Sequence, residues 1–146
     1  YSRSIKLEDS VMKKQLQRYI NENGLKETIV IHDYSLSLED RMYEYDMLIH
    51  TANNEGLGAI IIEAMSRGLP VIASNIIGIS DLVRDSDTGL SFEKGDADML
   101  ANKIIKLWST PELARQINKN AFNHIANNFD IKINERKYFE LYGDLL

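Results

Sequence analysis

Two carboxylates and two glycines fall within nine residues of this chain, as Glu55, Gly56, Gly58 and Glu63 of Asn54-Glu55-Gly56-Leu57-Gly58-Ala59-Ile60-Ile61-Ile62-Glu63-Ala64-Met65. Glycines at a strand-to-helix turn let the backbone approach a bound group closely. The unpaired N–H groups of the helix start then point at that group, and the helix dipole favours an anion such as phosphate. Ionised carboxylates only accept hydrogen bonds, which suits hydroxyl donors. Glu63 stands in a stretch that is apolar nearly all round, so it is expected to be buried. It leans back toward the helix start, roughly 9 Å down the axis at ~1.5 Å per residue, where it could grip a vicinal diol. Glu55, at the mouth, could meet sugar hydroxyls. The same residues admit plainer roles, with Glu55 complementing the helix N-terminus and Glu63 paired with a Lys or Arg.

The elements that must position these groups follow an α/β rhythm, in which short β-branched runs alternate with helical patterns. The pattern predicts helices over 8–23, 38–45, 58–67, 97–109, 111–127 and 131–145, and strands over 28–32, 47–51, 71–74 and 90–92, with a helical turn over 80–84. Asn23-Gly24 closes the first helix and Gly68 the third, at a position that tolerates positive φ. Thr110 is the expected N-cap before Pro111 at the first helical position. The strands are apolar runs without polar alternation, as in a parallel sheet covered by helices on both faces.

Bulk properties exclude several classes. The chain has 146 residues, is 44% hydrophobic, carries a net charge of −5 and contains no cysteine. These values fit one domain with a real core, without disulfides or thiolate metal sites. Acids and bases are interspersed, so there is no basic field for nucleic acid. No signal pattern or transmembrane-length apolar run is present, and a cytoplasmic location is expected. His32, His50 and His124 lack metal-ligand spacing, so each is read as structural and no metal is expected. Trp108 is expected in the core, and Lys103, Lys106, Lys119, Lys132 and Lys137 on solvated helix faces.

Beyond Glu55 and Glu63, with seven residues between them, the chain carries Gly78-Ile79-Ser80-Asp81-Leu82-Val83, Asp87-Thr88-Gly89-Leu90 and Gly95-Asp96. Together these resemble, in order and spacing, the E-x7-E region, the G-I-P-E loop, the D-x-T-G-L turn and the G-D segment of retaining GT-B glycosyltransferases of family 4, group 1. The resemblance implies a Rossmann-like parallel sheet with helices on both faces, forming the C-terminal, donor-binding half of a GT-B fold. It further implies hexosyl transfer with retention, from a UDP- or GDP-linked sugar to a saccharide or lipid acceptor, in cell-surface polysaccharide or glycolipid synthesis at or near the inner membrane. No cofactor is implied. Glu63 would bind the ribose diol, and Glu55 would lie against the transferred sugar as the catalytic carboxylate. Gly56 and the amides of Leu57, Gly58 and Ala59 would hold the distal phosphate and sugar, with Asp33 and Tyr34 beside the base.

Departures from the family pattern are Leu57 in place of an aromatic, Ser80 in place of Pro, Asp81 in place of Glu, and His32 near a usual Gly. The family's first β-α-β unit, its Arg/Lys pair for the diphosphate and its acceptor domain are not expected within these 146 residues. A chain of this extent is expected to be inactive alone, and its unpaired sheet edges invite homo-oligomers. Rival readings are a sugar-nucleotide epimerase or phosphorylase of the same fold, or a non-catalytic nucleotide-sugar-binding module. A receiver-like module would need an acidic cluster after a first strand, whereas Ser74-Asn75 follows the third strand.

Overall fold

Helix formation in the first segment follows its amphipathic pattern, and its end follows from the backbone accounting at Asn23-Gly24. The computed structural model describes residues 2–32 and 39–143. The chain forms two compact units, residues 1–36 and 37–146. The first holds α1 (Ser2–Glu22). Gly24 takes φ 67, so that Leu25 N–H reaches Ile20 O at 2.9 Å and Gly24 N–H reaches Asn21 O at 3.4 Å. This reciprocal pair satisfies carbonyls that the last helical turn leaves open.

The strand expected over 28–32 does not form: these residues pair with no strand among the described residues. β-branched residues favour strands only where a ladder and a packing surface are available. Here Thr28 and Ile29 instead donate back to Leu25 O at 3.0 and 2.8 Å, and Val30 is left exposed.

The second unit begins with a 3₁₀ turn (Glu39–Glu44) and continues as β1 (Leu48–His50), α2 (Ala59–Ser66), β2 (Val71–Ser74), β3 (Leu90–Phe92), α3 (Ala97–Ser109), α4 (Pro111–Asn128) and α5 (Ile131–Gly143). The strands form one parallel sheet in the order β1-β2-β3. Leu48 is in register with Val71, and Ile72 with Leu90. All four residues of the central strand β2 are buried. Alternation splits them between two cores, because successive side chains of a strand point to opposite faces. Val71 and Ala73 join Ile61, Ala64 and Met65 of α2, with Ala121 and Ile125 of α4. Ile72 joins Leu90, Phe92, Leu107 of α3 and Ile117 of α4. The parallel α/β sheet expected from sequence is therefore present, covered on both faces.

Helix ends and surfaces show where local pattern was insufficient. Asp96 caps α3 through Met99 N–H at 2.8 Å. Thr110 makes no cap hydrogen bond; it also terminates α3. Trp108 is 68% exposed, contrary to its expected place in the core. Its neighbour Leu107 takes the buried position, and one residue further turns the side chain about 100° around the helix, away from the sheet. Lys103 is not on a solvated face: its side chain is 15% exposed and pairs with Asp85 at 2.7 Å.

Between β2 and β3, Thr88 is fully buried, donating from its hydroxyl to Leu82 O at 2.6 Å and accepting from Arg84 N–H at 2.9 Å. Thr88→Val keeps the shape but leaves both backbone groups unpaired. It is expected to cost about 1–3 kcal/mol, read from the urea midpoint, whereas Thr88→Ser should retain most of the stability. Equal losses in the two variants would show that packing, and not hydrogen bonding, holds this turn.

Candidate functional site

Parallel strands of an α/β sheet present their C-terminal ends to ligands. Here β1, β2 and β3 end at His50, Ser74 and Phe92. The loop after β1 turns into α2 through Gly58, which takes a left-handed conformation at φ 65 and ψ 44. Ile61 and Ile62 N–H then reach Gly58 O at 2.8 and 3.1 Å. The earlier amides, which a helix cannot satisfy itself, open toward the loop.

An anion already sits there, and it belongs to the chain. Glu55 Oε1 accepts from Gly56 N–H at 2.9 Å. Hydrogen bonds from the Gly56 and Gly58 amides, joined by the field of the His50 imidazole, hold the Glu55 carboxyl below its ordinary 4.5. With the folded value depressed, this contribution is present above the ordinary carboxylate range and is lost as pH falls through the depressed value. Glu55 Oε2 lies 3.4 Å from His50 Nε2, while His50 Nδ1 is buried without a partner among the described residues. Glu55 therefore accepts from the glycine loop that leads into α2.

Glu63 differs from expectation. It is half-buried, not buried, because α2 has only two turns and its fully buried face consists of Ile61, Ala64 and Met65. Among the described residues its carboxylate has no ion-pair partner. Arg67, the nearest candidate, contacts the Glu63 main-chain carbonyl instead, through Nη1 at 3.4 Å. Leu57 is 62% exposed, and Ala59 opens α2. Asp33 and Tyr34 lie outside the described residues.

The loop after β2 fixes this geometry. Gly78 takes φ 90, and a Cβ there would stand 2.4 Å from Glu55 O and 2.7 Å from Gly56 O. A side chain on Gly58 would stand 3.0 Å from Leu82 Cδ1. Ile79, Leu82 and Val83 are buried beneath, and His124 Nε2 meets Asp81 O at 3.0 Å from α4. The segment 78–83 therefore clamps the glycine loop. His50, Gly78, Asn75 and Lys94 were not singled out by spacing as site residues. The signal that could have found them is their position at or just after the C-terminal ends of the three strands.

With this geometry established, comparison with known proteins identifies the lineage. The family model for glycosyl transferases group 1 matches residues 9–124. The chain belongs to this family. It is 32% identical over 101 residues to the capsular polysaccharide biosynthesis glycosyltransferase CapM of Staphylococcus aureus, covering 69% of this chain and 27% of that protein. It is 28% identical over 128 residues to an Escherichia coli UDP-Gal:alpha-D-GlcNAc-diphosphoundecaprenol alpha-1,3-galactosyltransferase, covering 88% of this chain and 33% of that protein. The chain thus spans about a quarter to a third of these relatives' length.

Among solved structures, Anabaena Alr3699/HepE in complex with UDP and glucose superposes with a TM-score of 0.85 at 26% identity, covering 94% of this chain and 38% of that one. The C-terminal domain of the group 1 glycosyl transferase LpcC from Francisella tularensis superposes with a TM-score of 0.74 at 23% identity, over 85% and 65% of the two chains. The group 1 fold is thus that of GT-B C-terminal domains, as the sequence motifs implied.

Gly78→Ala is expected to displace the Glu55-Gly56 peptide and to shift the amide resonances from Glu55 to Ala59. Gly24→Ala is the control, since Gly24 shares positive φ but has open space around its Cβ position. It should cost only the ~1–2 kcal/mol of left-handed backbone and leave those resonances in place. Unmoved resonances in Gly78→Ala would show that the clamp yields elsewhere.

Proposed function

We propose that this chain is the nucleotide-sugar-binding part of a glycosyltransferase that transfers a hexosyl group, with retention, from a UDP- or GDP-linked sugar to a saccharide or lipid acceptor of cell-surface polysaccharide or glycolipid synthesis. The observation carrying this reading is the Glu55 carboxylate held by the Gly56 amide at 2.9 Å, with the Gly58 amide also favouring its ionised form. A cradle that binds its own carboxylate has the geometry and polarity to bind a diphosphate oxygen. The complex of the similar Anabaena protein with UDP and glucose supports the same ligand class.

The donor's distal phosphate takes the amides of Leu57, Gly58 and Ala59, and Glu55 gives up its share of the Gly58 amide as the second anion arrives beside it. The released carboxylate then accepts from hexose hydroxyls. Amides aimed at the diphosphate stabilise charge as it develops on the departing group, the largest contribution such a site can make. Glu63, free of a cationic partner among the described residues, accepts from the ribose diol.

Titration with UDP and GDP should move the amide resonances of Gly56 to Ile60. No movement with any nucleoside diphosphate would remove the reading. Glu63→Gln should weaken binding of the ribonucleotide by about tenfold or more, as expected for hydrogen bonds to a charged group at ~1.5 kcal/mol and above. Binding of the 2′-deoxy analogue should change much less. Equal losses for both would remove the diol assignment.

A further inference from the structure

His50 is the last residue of β1, and the backbone on both sides of it is fixed. It lies in register with Ala73 of the buried central strand. Ala52, two residues on, is held at its carbonyl by the buried hydroxyl of Ser74 at 2.6 Å. The imidazole itself is 15% exposed, so close packing confines the ring.

One ring nitrogen has a partner and the other does not. Nε2 lies 3.4 Å from Glu55 Oε2. A bare nitrogen there would set lone pair against lone pair, so Nε2 carries the hydrogen. Nδ1 is buried and has no partner among the described residues. Buried polar atoms are generally hydrogen-bonded, and a histidine that only tied elements together would spend both nitrogens on the protein. His124 does so, with Asp81 O at 3.0 Å and Asn128 Nδ2 at 3.2 Å. His50 directs a single N–H, at Glu55.

The length of that contact decides what it does. N–H···O bonds run about 2.7–3.2 Å, so the imidazole attracts the carboxylate without closing on it. The Gly56 amide, at 2.9 Å, has the stronger hold, and the Gly58 amide also stands ahead of His50 in favouring the ionised form. A phosphate at the start of α2 would take the Gly58 amide and repel the carboxylate. The donor already beside Oε2 is His50 Nε2–H.

We propose that His50 is the positioning residue that receives the Glu55 carboxylate when the donor's diphosphate takes the Gly58 amide, closing the Nε2···Oε2 contact to hydrogen-bond length. This role rests on the glycosyltransferase reading above, since it needs a phosphate at the start of α2. It keeps Glu55 ionised and oriented toward the transferred sugar, whereas an unheld carboxylate beside a phosphate is driven to take up a proton. Contacts that are long in a free enzyme and tighten in its complex are common at groups that act during turnover.

The test uses the chain saturated with UDP, or with GDP if GDP binds more tightly. Nucleotide should shift the nitrogen resonance of His50 Nε2, and Glu55→Ala should remove most of that shift. In the complex, His50→Leu should raise the Glu55 carboxyl midpoint by about one pH unit, with about tenfold weaker nucleotide binding at pH 7. His50→Gln, whose side-chain amide still donates, should restore most of both. In a Glu55→Ala background, His50→Leu should change nucleotide affinity by less than about twofold, because the partner is already gone. The proposal is overturned if the Nε2 resonance stays in place, or if His50→Leu leaves the Glu55 midpoint in the complex unchanged. It is also overturned if His50→Leu weakens binding equally with and without Glu55, the mark of a packing effect. The Nε2 measurement needs no His50 variant, so it decides the matter even where His50→Leu does not fold. A chain that binds neither nucleotide overturns the glycosyltransferase reading and this role together; one that binds nucleotide with Nε2 unmoved overturns this role alone.

Discussion

The amide of Gly56 closes on the carboxylate of the residue just before it, that of Gly58 also favours the ionised form, and much of the surrounding structure serves to keep them there. A helix start has N–H groups that its own turns cannot satisfy. In a loop without support they would turn to water. Here the loop after β2 presses against the Glu55 and Gly56 carbonyls so closely that no side chain fits on Gly78. Beneath it, Ile79, Leu82 and Val83 are buried in the same core as Ile61 and Met65 of α2. The cradle is therefore continuous with the hydrophobic core, and its shape depends on close packing of the kind that transmits small changes in volume.

That arrangement gives the site a charge balance of its own. The chain is acidic overall, so the attraction of a diphosphate that the proposed function requires cannot come from net charge. It has to come from oriented peptide dipoles and a few placed cations. In the proposed function, Glu55 screens those dipoles while no anion is bound, and its exchange with phosphate would turn one carboxylate from a plug into a wall of the sugar site. His50 at the end of β1 and Lys94 after β3 flank it, one touching Glu55 Oε2 and the other held against the same loop by Asn53 O.

The sequence made legible those features whose cause is local. β2 and β3 form over the expected 71–74 and 90–92 because short β-branched or aromatic runs lie between turn residues, and α3 spans the expected 97–109 behind its Asp96 cap. The glycine loop was legible for the same reason. Features fixed by long-range packing were not. The run 28–32 reads as a strand but found no ladder, Trp108 reads as core but faces out, and Lys103 reads as solvated but pairs with Asp85. His50 and Lys94 carry no spacing signal, because their place at the site comes from strand ends brought side by side by the sheet. Glu63 was expected to be fully buried from its apolar neighbours, yet a helix of two turns buries one face and leaves its flank half open.

The proposed exchange of Glu55 for phosphate can be tested directly by following the side-chain carboxyl carbon of Glu55 through a pH titration, with and without saturating UDP. Without nucleotide the midpoint should lie below the ordinary glutamate value, because two amides hold the ionised form. With UDP it should rise, because the amides are taken and a negative phosphate stands nearby. An ordinary midpoint in the free chain, or a depressed one unchanged by UDP, would contradict the central claim.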